Sequence, residues 1–141
     1  MRHTTLLAII CIVTFSQCEE TIPDPSNHRL GDTVTVHLGD TVEVGSVPYR
    51  VSFDALLSDS RCPLDAVCVW GGEVKTQVSI SNRSNAMTMV LGFYEPWKVP
   101  RDTFEQVTIE LLGVLPHPVL QSDSLNTTNK SIQIIINPLD Q

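Results

Sequence analysis

The chain has 141 residues, enough for one domain of ordinary size and short for two. Hydrophobic residues make up 42% and charged residues 18%, a balance that suits a packed core and excludes wholesale disorder. The formal net charge is −7 and no Lys/Arg cluster occurs, which excludes nucleic acid as a partner because a polyanion is repelled at long range.

The amino end reads as an address rather than as fold. Met1, Arg2 and His3 form a short basic start, and Leu6 to Phe15 is a nearly unbroken apolar run of ten residues. A bilayer needs ~20 helical residues, so this run is too short to span and has the length of a signal-peptide core. Ser16, Gln17 and Cys18 follow. A cysteine directly behind an apolar core resembles a bacterial lipobox, with Phe15 where Leu is usual and Gln17 where Gly or Ala is usual. The resemblance implies a diacylglyceryl group on the Cys18 thiol and cleavage that makes Cys18 the first residue. Ordinary secretion, with cleavage near Ser16 and a free Cys18 thiol, is the alternative. Glu19 and Glu20 resemble the acidic tag that sends some Gram-negative lipoproteins to the cell surface; any soluble tether is also polar. We therefore read residues 1–17 as a signal peptide, 18–29 as the lipid-bearing cysteine with an extended tether containing Pro23 and Pro25, and 30–141 as the folded domain.

From Leu30 onward the pattern is β. Leu30 to Leu38 alternates Val34 and Val36 against Thr35 and His37, and Leu38 to Val44 repeats Leu-Gly-Asp-Thr-Val at an offset of eight residues. Two copies are too few for a repeat architecture and predict two strands, each entered through a Gly-Asp turn. Tyr49 to Leu57 sets Tyr49, Val51, Phe53 and Ala55 on one face; Val74 to Ile80 does the same with Val74, Thr76, Val78 and Ile80. Ala86 to Phe93 is a further strand, Glu95 to Arg101 a proline-broken loop, and Phe104 to Leu115 one long strand ending at Pro116 and Pro118. Ser131 to Asn137 is apolar on both faces through Ile134 to Ile136, as in a central strand. About seven strands and no amphipathic helix predict an all-β chain, an antiparallel β-sandwich of immunoglobulin-like or related form.

The densest signal is Asp59 to Gly72, DSRCPLDAVCVWGG. In an oxidising compartment Cys62 and Cys68 should pair. Trp70, two residues beyond Cys68, is expected to point with it and lay its indole against the disulfide to seal one end of the sandwich. Gly71 and Gly72 signal a bulge or a close backbone approach. The pattern Asp-Ser-Arg-Cys-Pro, a spacer, then Cys-x-Trp-x-Gly resembles a family of small, mostly uncharacterised bacterial lipoproteins and secreted β domains. That family also shows Leu-Gly-x-Thr-Val near the start, matched by Leu30 to Val34, and a leucine-rich strand ending in Pro-x-Pro, matched by Leu111 to Pro118. The resemblance covers Leu30 to Pro138, departs at Gly71 where Ala is frequent, and implies a β domain with a lipid anchor but no known reaction.

Arg61, flanked by Asp59 and Asp65, is either an anchor for a carboxylate or phosphate ligand or half of a structural ion pair. Tyr94 and Trp97 lie in an aromatic stretch that either binds a partner or folds over the core. Asp32-Thr33-Val34, Asp40-Thr41-Val42 and Asp123-Ser124-Leu125 match a loose O-glycosylation pattern that is common by chance. No metal site is expected: exported cysteines oxidise, and His28, His37 and His117 are scattered. No nucleophile elbow, His-Glu-x-x-His or Cys-x-x-Cys occurs, so we expect no enzyme and no cofactor. The expectation is an exported outer-membrane lipoprotein, facing the periplasm or the cell exterior. It acts as a non-catalytic binding or envelope-structural module that engages the membrane through its anchor and an envelope protein or glycan through Arg61, Trp70, Tyr94 and Trp97. The alternative is a secreted enzyme or inhibitor with its site in the Cys62–Cys68 loop.

Overall fold

A computed structural model describes residues 28–94, 101–120 and 129–139. Eight strands form two antiparallel four-stranded sheets: β1 Thr33–His37, β2 Thr41–Val44, β3 Tyr49–Asp59, β4 Glu73–Ser81, β5 Ala86–Tyr94, β6 Arg101–Phe104, β7 Val107–Leu115 and β8 Ser131–Pro138. One sheet has the order β1-β8-β7-β6 and the other β2-β3-β4-β5. The expected signal peptide, Cys18 and most of the expected tether lie outside the described residues. The carbonyl of His28 accepts the Gly45 N–H at 2.7 Å, so the chain is already held two residues before Leu30.

The repeated Leu-Gly-Asp-Thr-Val starts one strand in each sheet. Gly31 and Gly39 both have left-handed φ, +92° and +87°, a region open to glycine at no steric cost. The Gly31 N–H donates to Ile136 O of β8, and the Gly39 N–H to Phe53 O of β3. The same five-residue turn thus feeds the edge strand β1 of one sheet and the edge strand β2 of the other.

The core lies between the sheets. Val34, Val36, Ile109, Leu111, Ile132, Ile134 and Ile136 face Val51, Phe53, Val74, Val78, Ile80 and Leu91, all at 1% exposure or less. β8 is central, which accounts for its unbroken isoleucines.

Two expectations are corrected. Phe104 to Leu115 is not one strand. Glu105, at φ +52°, and Gln106 form a tight turn between β6 and β7, giving eight strands, and Arg101 belongs to β6 rather than to the preceding loop. No Gly, Asn or Pro marks this turn, so it reads as continuous alternation. The second concerns β3. Its ladder with β4 shifts between Phe53 and Ala55 and again between Leu56 and Ser58. Each bulge moves the inward position by one residue. The residues opposite the inward Ile80, Val78, Thr76 and Val74 are therefore Val51, Phe53, Leu56 and Asp59. Ala55 and Leu57 lose their inward places to Leu56, and the second shift restores the original alternation, so that Asp59 faces inward.

Candidate binding surface at the disulfide end

The two ends of the sandwich differ. The proximal end holds the entry at His28 and the β2–β3, β4–β5 and β6–β7 turns. The distal end holds the β3–β4 connection with both cysteines and the connection leaving β7.

At the distal end the inward Asp59 is fully buried and meets two buried cations. Arg61 Nε donates to Oδ1 and Nη2 to Oδ2, both at 2.7 Å, and Lys130 Nζ donates to Oδ2 at 3.1 Å. The excess cationic charge is turned on backbone carbonyls. Arg61 Nη1 donates to Val114 O at 2.8 Å, and Lys130 Nζ to Pro116 O at 3.2 Å. Buried ions are tolerated where partners replace water in this way. Burial by itself would raise the Asp59 pKa. The hydrogen bonds and charges of Arg61 and Lys130 outweigh it and hold the carboxyl below its ordinary value. The cluster ties three separate segments together: the end of β3 with Arg61, the end of β7 with Pro116, and Lys130 just before β8.

Above this cluster the loop is fastened by a covalent bond and by hydrogen bonds. Cys62 and Cys68 are bonded, with Cα atoms 5.9 Å apart. The Cys62 N–H donates to Gly71 O at 3.0 Å and the Ser60 N–H to Glu73 O at 2.8 Å, extending the β3–β4 pairing to the base of the loop. Gly72 has φ +76°, and a Cβ there would lie 1.9 Å from Ser60 O, so no side chain fits. The Leu64 N–H donates to Pro118 O at 3.0 Å, and the Leu120 N–H to Asp65 Oδ1 at 2.8 Å, which fastens the loop to the segment after β7.

Held this way, the loop turns its apolar side chains outward. Leu64 is 72% exposed, Val67 104%, Val69 95% and Trp70 80%, and Leu120 of the neighbouring segment is 64% exposed. These exposed apolar side chains make the loop the candidate for an interaction surface.

The sequence-based candidates fare differently. Arg61 is buried at 4% exposure and its donors are spent within the protein, so its geometry supports the structural ion pair and not the ligand anchor. Its carboxylate partner is Asp59; Asp65 is bonded instead to the Leu120 backbone. Trp70 does not seal the end of the sandwich. Residues 69 and 70 are a bend rather than a strand, so the two-residue alternation that would align Trp70 with Cys68 does not apply, and the indole stands in solvent. Tyr94 ends β5 opposite Glu73, and Trp97 lies outside the described residues. Sequence reasoning missed Lys130, whose one local signal is a lone cation immediately before the apolar β8. It also missed Leu64, Val67 and Val69 as surface residues, although valines in a loop too short to be a strand are themselves a signal. Among the described residues no three His, Cys, Asp or Glu side chains converge on a point that could hold a metal.

Comparison with protein-family models, curated proteins and solved structures finds no match to this chain.

Proposed function

We propose that this protein is an exported, lipid-anchored binding module that uses the disulfide loop to grip a protein partner. The observation that carries the reading is the exposure of Trp70, Val67, Val69 and Leu64 on a loop that a disulfide and a buried ion cluster hold in one shape. Pre-ordered apolar anchors lose little conformational entropy on binding, and tryptophan is the residue type most enriched at interface hot spots. A protein cleft fits better than a glycan. The other large exposed hydrophobic side chains of the loop, Leu64, Val67 and Val69, are aliphatic, whereas a sugar needs polar groups next to the ring it stacks on. The nearest ionisable cluster has its polar atoms committed to one another and to backbone, which favours binding over catalysis. Export is supported by the disulfide, which persists in oxidising compartments. The lipid anchor is supported by the lipobox-like Ser16-Gln17-Cys18, and by the resemblance of the cysteine motif to the small bacterial lipoproteins.

The test is photocrosslinking in intact cells, with a benzophenone amino acid at Val67 and, as control, at Val47. Val47 is the same residue type and is also exposed, at 67%, at the proximal end. A discrete protein adduct at Val67, absent at Val47 and lost when Trp70→Ala is added, is the expected result. Equal labelling at both positions would refute the reading. Intact mass of the protein from native membranes tests the anchor: a chain beginning at Cys18 with added acyl mass is expected, and an unacylated chain would make the protein a diffusible secreted domain.

A further inference from the structure

Three of the four sheet edges are short or interrupted. β2 has four residues, carries Glu43 and is bridged by His28. β6 has four residues and carries Arg101 and Asp102. β1 has five, and the chain leaves it at Leu38 to bridge Phe53 in the other sheet. β5 is different. It runs nine residues, Ala86–Tyr94, with no charged residue and no proline. Its ladder with β4 has no bulge, whereas the β3–β4 and β7–β8 ladders both do. Among the described residues no backbone group outside β4 hydrogen-bonds to β5. Natural sheets protect their edges with charge, proline, bulges or shortness, and an edge with none of these is a template for another strand.

We propose that β5 pairs antiparallel with β5 of a second copy of this chain, joining two four-stranded sheets into one of eight. The strand is compatible with itself. About a two-fold axis at Val90, Val90 faces Val90 of the second copy, Met89 faces Leu91, Thr88 faces Gly92 and Met87 faces Phe93. Each of these cross-strand pairs is uncharged, so no like charges meet. Thr88 and Val90 are exposed, and Met89 and Leu91 face the core, so the two copies continue each other's outer and inner surfaces. The acidic residues of this sheet stand back from the edge. Asp54 lies on β3, bonded to Ser52 and Ser79, and Glu73 is bridged to Lys75. The net charge of −7 acts against association at long range, but ions at physiological strength screen it within ~8 Å. A two-fold dimer is isologous and closes on itself, which consumes the edge rather than propagating it.

Register-specific crosslinking tests this directly in membranes. Val90→Cys brings two thiols opposite one another across the axis, where facing Cβ atoms lie ~5 Å apart. Thr88→Cys places its thiols four residues out of register. The expected result is a reducible covalent dimer for Val90→Cys and little or none for Thr88→Cys. The second variant also controls for crosslinking through Cys18. Equal dimer from both variants, or from neither, would overturn the proposal. A second measurement is native mass spectrometry of Val90→Lys. Its side chain projects into solvent in the monomer, so the fold should persist by circular dichroism. Two ammonium groups across the axis should weaken the dimer on the order of tenfold or more. A dimer unaffected by Val90→Lys would equally overturn it. None of these outcomes depends on the disulfide loop, so the dimer and the binding reading stand or fall separately.

Discussion

The two ends of the sandwich solve the same problem in opposite ways. At the proximal end the polar groups are outside: Glu105 receives the side-chain amides of Asn82 and Asn85 on the surface, while Tyr49 and Phe104 meet edge to face beneath. At the distal end the arrangement is inverted, with Asp59, Arg61 and Lys130 buried and Leu64, Val67, Val69 and Trp70 exposed. A polar cap over apolar packing is all that folding requires. Ions under an exposed apolar loop are costly to arrange, and they give the loop a fixed shape. The comparison separates an end whose polar groups reach water from one whose ions are buried beneath exposed apolar side chains.

The comparison breaks most sharply at Asp59. Asp59→Ala leaves two cations buried without their anion, which costs about 3–5 kcal/mol. The expected fall in Tm is ~10 °C or more. Glu105→Ala at the proximal end frees groups that water can reach and should cost about 1 kcal/mol or less. Equal losses at the two ends, measured by thermal melts, would remove the distinction.

Opening the disulfide is the next largest effect. Cys62 and Cys68 enclose a short loop, so Cys62→Ser with Cys68→Ser should lower stability by about 2 kcal/mol. The same pair of changes should abolish the Val67 crosslink. Stability lost with the crosslink kept would mean that the ion cluster alone shapes the loop.

Acid should act on the distal end. The folded-state pKa of Asp59 is below its ordinary value, so the unfolded chain binds this proton more tightly than the folded chain. Its contribution is fully present above about pH 5, declines as pH falls through the unfolded value of ~4, and is lost once pH passes below the folded value. Urea midpoints measured from pH 7 to 3 should fall more steeply for the native chain than for Asp59→Asn.

The smallest effect is expected on the outside of the distal end. Trp70→Ala and Val67→Ser remove side chains that solvent already surrounds, so each should change stability by no more than about 0.5 kcal/mol. A fall in Tm of several degrees would mean that these side chains pack in solution, and the binding surface would be lost with them.

Most of the strands were legible because alternation along one chain reports which face is buried. The doubled Leu-Gly-Asp-Thr-Val, the apolar Ile134 to Ile136 and the close approach at Gly72 each carried a local signature that the fold repeats. The candidate site was legible only in its location, as the cysteine loop. The sequence left Arg61 open between a ligand anchor and a structural ion pair, because nothing local shows that Asp59 and Lys130 meet in the interior beside it.

The sequence by itself determined the all-β class, the positions of the turns that glycine and proline mark, and the cysteine pair, since all three follow from short-range sterics and period-two patterning. Only the tertiary structure decided the ion cluster and the apolar display above it. Lys130 lies seventy-one residues from Asp59 along the chain, and strand register, which depends on bulges and on the partner strand, brings them together. Whether Trp70 is buried or exposed likewise depends on what lies over it, and that is a property of the assembled end and not of the tryptophan.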